Sequence, residues 1–63
     1  MDEKTINNVL ETILNLTNDG IETGEEKYFA MASKLLRFLK SETGEDFTEM
    51  SEYIYSNWED LNG

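Results

Sequence analysis

Thr23-Gly24-Glu25-Glu26-Lys27-Tyr28-Phe29-Ala30-Met31-Ala32-Ser33-Lys34-Leu35-Leu36-Arg37-Phe38-Leu39-Lys40-Ser41 decides the fold. After Gly24 nothing interrupts it, and its apolar residues recur at intervals of three and four, the period of a helix. Tyr28, Ala32, Leu35, Leu36 and Leu39 form an inward stripe, with Phe29 beside it. Met31 and Phe38 project at a different angle and flank Lys34. A helix that is apolar round more than half its circumference has more surface than one neighbour covers. Either it is the central helix of a bundle, packed on both sides, or Met31 and Phe38 are a surplus face for a partner. Thr23-Gly24-Glu25-Glu26 has the form of a capping box, in which the Thr23 hydroxyl accepts the Glu26 amide hydrogen and the Glu26 carboxylate reaches back. The pattern predicts a helix from this cap to about Ser41.

Toward the N-terminus, Ile6, Val9, Leu10, Ile13, Leu14 and Leu16 share one face of a helix predicted from about Thr5 to Asn18. Asn18-Asp19-Gly20 reads as its stop, with glycine free to take the left-handed conformation. Toward the C-terminus, Asp46-Phe47-Thr48-Glu49 reads as a second capping box after Thr43-Gly44-Glu45. Phe47, Met50, Ile54, Trp58 and Leu61 make the inward stripe of a third helix, with Tyr53 at its margin. The links are short, which favours antiparallel neighbours. The expected architecture is therefore all-α, a compact three-helix bundle in which residues 1–63 form a single domain, without internal repeats and with Met1–Lys4 and Asn62–Gly63 fraying. A chain of 63 residues buries about 60% of its unfolded surface, so the core is thin.

Fourteen acidic residues face five basic ones, a formal charge of −9. Such a field attracts cationic partners and repels nucleic acid and anionic membranes. On a helical wheel Glu45, Glu49, Glu52, Glu59 and Asp60 gather opposite the third helix's apolar stripe. Carboxylates three and four apart on a helix are roughly 5–6 Å from each other, not far from the spacing of phosphates along a strand. A row of Glu45, Glu49, Glu52 and Glu59, joined by Glu42 and Asp46, therefore suits a lysine- and arginine-rich groove built for nucleic acid. Phe38, Met31 and Tyr55 are the candidate apolar anchors of the same contact. The bland reading is a solvated face that keeps a small protein in solution. In size and charge, though in no motif, the chain is similar to the small acidic accessory proteins by which phages and mobile elements block host enzymes.

Composition narrows the remaining classes. The absence of cysteine removes disulfides and thiolate metal sites, and the absence of histidine removes the commonest general base. No cofactor motif is present, and carboxylate pairs such as Glu25/Glu26 and Glu59/Asp60 have little room for a water-excluding pocket, so no enzymatic activity is expected. A helix-turn-helix reader needs a cationic recognition helix, whereas the third helix carries carboxylates. Lys27, Lys34, Arg37 and Lys40 spiral along the second helix. Asn15, Thr17, Asp19, Gly20 and Glu26 fall at EF-hand loop spacing, with Asn and Thr where Asp is usual, a weak calcium signal. Asn15-Leu16-Thr17 matches a glycosylation sequon by chance. With no long apolar run and no cationic leader, a cytoplasmic protein is expected. The function expected is partner binding through the acidic face. The alternative is self-association, a homodimer formed through the apolar face of the second helix.

Overall fold

A computed structural model describes all of residues 1–63. Three helices, α1 (Glu3–Thr23), α2 (Glu26–Thr43) and α3 (Thr48–Asn62), pack each against the other two in a body of 36 × 17 × 15 Å. The all-α three-helix bundle expected from the periodicity is the fold found. The core is Ile13 of α1, Ala32, Leu36 and Leu39 of α2 and Ile54 of α3, with Ile6, Val9, Leu10, Leu16 and Leu35 packed round it. Packing against both α1 and α3 explains the wide apolar arc of α2, where Phe29, Ala32, Ser33, Leu36 and Leu39 are all buried. Phe29 is the largest buried side chain and Tyr28 is only half-buried, which reverses the order expected along the stripe. Leu61, expected to face inward, is exposed.

The first helix differs most from expectation. It starts at Glu3 rather than Thr5, because the Asp2 carboxylate accepts the Thr5 amide hydrogen at 2.8 Å and caps it. It also runs through Asn18-Asp19-Gly20 to Thr23 instead of stopping. Gly20 is a buried helical residue, and its missing side chain makes room for Phe29. A Cβ at position 20 would lie 3.0 Å from the Phe29 ring. Packing between α1 and α2 therefore carries the helix past a residue that locally favours ending it.

Neither expected capping box forms. Glu22-Thr23-Gly24-Glu25 closes α1 and Glu42-Thr43-Gly44-Glu45 closes α2, the same four residues in the same geometry. Gly24 and Gly44 are left-handed, with φ of 72° and 76°. Their amides donate to the carbonyls of Gly20 and Lys40 at 2.9 and 2.8 Å. The threonine hydroxyls donate back to Asp19 and Leu39 at 2.7 and 2.8 Å, and each accepts the next glutamate's amide hydrogen at 3.2 Å. Thr23 thus ends α1 rather than capping α2, whose N-cap is Glu25 with no side-chain bond. The tetrapeptide is a repeat at the level of joints, where no repeat was expected. At α3 the N-cap is Phe47, left-handed at φ 47° and ψ 52° and held by packing of its ring against the core.

Candidate interaction surfaces

The carboxylates of α3 stand as the wheel places them, with one exception. Glu49, Glu52, Glu59 and Asp60 are exposed and lie opposite the buried Ile54. Glu45 is not on the helix. It is exposed in the connection between Thr43 and Thr48, together with Asp46. Ser56 interrupts the row between Glu52 and Glu59. No lysine or arginine lies on α3, and the single ion pair of the molecule is Lys27–Glu25 at 3.8 Å, between exposed side chains on another helix joint. The α3 carboxylates are therefore neither paired nor neutralised. Glu59 and Asp60 also occupy the last turn, where the negative end of the helix dipole disfavours them.

The three expected anchors do not form one patch with those acids. Met31 and Phe38 lie on the outward side of α2, two turns apart with Lys34 between them, 43% and 49% exposed. They are therefore not core, although α2 packs against both other helices. Tyr55 belongs to the α2–α3 seam. Its hydroxyl and that of Ser33 lie 2.7 Å apart in a hydrogen bond, and its ring stacks on Trp58 with centroids 6.2 Å apart. Trp58 stacks in turn on Phe29 at 6.1 Å and donates its indole N–H to the Glu26 carboxylate at 3.2 Å. This aromatic row fixes α3 on α2, so Tyr55 is committed to structure as well as to surface.

A surface not anticipated from sequence follows the seam between α1 and α3. Leu10, Phe47 and Met50 line a hollow of about 410 Å³ with Thr48 and Glu49. Next to it, Leu14, Met50, Tyr53 and Glu49 line another of about 220 Å³. At the far end Gly20, Ile21, Phe29, Asn57, Asp60 and Leu61 surround a third of about 180 Å³. The Tyr53 hydroxyl donates to the Asn18 side-chain carbonyl and bridges the seam between the second and third hollows. Leu10, Leu14 and Ile21 recur at four and seven along one edge of α1, a signal present in the sequence but cut short when the helix is ended at Asn18.

The calcium spacing has no loop to support it. Asn15 to Thr23 is helix, Thr17 is buried with its hydroxyl donating to the Ile13 carbonyl at 2.8 Å, and no group of three acidic side chains is placed to hold a metal ion. Among the charged side chains Asp2 stands apart. Hydrogen bonding from Thr5, by its side chain and its backbone amide, holds its carboxyl below the usual carboxylate range. No helix is long and apolar enough to cross a membrane. No family model matches the chain, and no similar curated protein or solved structure is found.

Proposed function

We infer that this chain is a non-enzymatic binding protein that presents the carboxylate face of α3 to a cationic, nucleic-acid-binding groove of a partner protein. One observation carries the reading: α3 holds Glu49, Glu52, Glu59 and Asp60 on its exposed side with no cation on the same helix and no ion pair to any of them. A face that served solubility alone has no reason to keep acids at the wrong end of the helix dipole, where each costs about 0.3–1 kcal/mol. Glu45 and Asp46 extend the acidic surface past the start of the helix. The long-range field of the −9 chain steers a cationic partner, and contact then releases its counterions. Phosphate-like spacing makes the contact competitive with nucleic acid. Phe38 and Met31 lie on another side of the bundle and are not part of this contact.

The test is capture from a cell lysate at low and high salt, using the natural chain and the variant E49Q/E52Q/E59Q/D60N. A partner held by this face is retained at low salt, lost at high salt or from the variant, and displaced by a short DNA or RNA duplex. Equal capture by both proteins sinks the proposal. The exposure of Met31 and Phe38 favours a second reading, a self-association module. An isologous dimer through outward α2 would, however, crowd Lys34 and Arg37 of both copies into one interface.

A further inference from the structure

We propose that copies of this chain bind head to tail, the outward strip of α2 on one copy seating in the seam between α1 and α3 of the next. The two surfaces are complementary. Lys27, Met31, Lys34 and Phe38 succeed one another at four, three and four residues, a cationic helix edge with two large apolar side chains exposed. In a molecule with fourteen carboxylates, Lys34 and Arg37 have none within ion-pair distance. The seam has the opposite character. Its hollows are lined by Leu10, Leu14, Ile21, Met50 and Leu61, with Glu49 at one end, Asp60 at the other and no cation among the lining residues.

Spacing agrees as well. Met31 and Phe38 are seven residues apart, about 10.5 Å along a helix axis, and so are Leu14 and Ile21, two of the three exposed aliphatic side chains of the seam with Leu61. The two apolar pairs thus match in spacing, Leu14 and Ile21 standing on either side of the Tyr53–Asn18 bridge that crosses the seam. Because α2 buries its inner face against both neighbours, its outward strip and the α1–α3 seam lie on opposite sides of the bundle. A contact between them is heterologous and leaves a free strip at one end of the pair and a free seam at the other, so it propagates. Net charge opposes association, but at about 0.15 M salt that repulsion is screened beyond about 8 Å, while the local pairing of Lys34 and Arg37 with Glu49 and Asp60 persists at contact. The contact shares Glu49 and Asp60 with the acidic face inferred above, while Glu52 and Glu59 remain outside it on the outer side of α3.

Sedimentation of the natural chain from about 10 µM to about 1 mM brackets the weak affinities of interfaces this small. The average mass is expected to rise past that of a dimer without a plateau. Two variants at exposed positions divide the contact: K34E/F38S removes the strip and L14K/E49K the seam. Each alone is expected to remain monomeric, and their equimolar mixture to form a one-to-one dimer that grows no further. That dimer pairs the one intact strip with the one intact seam. The conservative E49Q/D60N variant, which keeps the apolar seam, is expected to associate about tenfold more weakly. A natural chain that is monomeric to about 1 mM, or that stops at a dimer, overturns the proposal, as does a seam variant that associates like the natural chain. Capture repeated with E52Q/E59Q, which leaves Glu49 and Asp60 of the seam in place, reads the acidic-face proposal separately from these results.

Discussion

Gly20 is the residue on which the α1–α2 packing turns. Alanine is ordinarily better than glycine inside a helix by about 1 kcal/mol. Here its methyl group would sit 3.0 Å from Cε2 and Cζ of Phe29, a ring that is 1% exposed and stacked on Trp58, so the ring must give way. Gly20→Ala is therefore expected to lower stability by about 1–3 kcal/mol in denaturant unfolding, against its propensity. Gly44→Ala makes the comparison sharp, since nothing lies within 4 Å of a Cβ there and only the positive φ opposes it. Its cost is expected near 1–2 kcal/mol. Asp2 supplies a pH signature. Its carboxyl is held below the usual range by hydrogen bonds from Thr5, so the cap's contribution is present above the unfolded value, about pH 4, and is lost as pH falls through the lower folded value. Thermal unfolding of Asp2→Asn followed from pH 6 to pH 2 should show a smaller acid-induced loss than the natural chain.

The helices differ in how firmly each is held. Ile54 is the one wholly buried side chain of α3, whereas α2 contributes four buried apolar residues and Ser33. The aromatic row and the Ser33–Tyr55 bond supply what the short buried stripe lacks. In a cycle of Ser33→Ala, Tyr55→Phe and the double variant, the coupling is expected to be about 0.5–1.5 kcal/mol. The acids at the end of α3 make a prediction of opposite sign. Glu59→Gln and Asp60→Asn are expected to raise stability by about 0.3–1 kcal/mol each at low salt, while Glu49→Gln in the first turn lowers it. At this scale the sequence was partly legible. Number, order and inner faces of the helices follow from the apolar period, because burial and propensity agree there. The joints do not, because Thr-Gly-Glu serves equally as a start or a stop in local terms. The choice depends on whether the chain is still helical at Gly20, and Phe29, nine residues on, settles that through tertiary packing. The α1–α3 seam was missed for the same reason, since Ile21 joins the edge of α1 only when the helix continues past Asn18. Met31 and Phe38 were legible as a separate face but not as exposed, since the sequence does not say which arc of a central helix its two neighbours leave open.

Across the whole molecule, charge is divided rather than mixed. Four of the five cations lie on α2, and α3 has none. Self-repulsion of a body carrying −9 is expected to raise the melting temperature as salt increases from low to moderate concentration, and E49Q/E52Q/E59Q/D60N should flatten that dependence. The same partition has a practical outcome for cleavage. Lys40 is the last basic residue, so trypsin finds no bond to cut from Ser41 to Gly63, while a glutamate-specific protease finds sites throughout that span. When α3 lifts away from the hairpin of α1 and α2, only the second protease registers the event. Digesting the protein with the pair in parallel thus separates detachment of the third helix from opening of the other two.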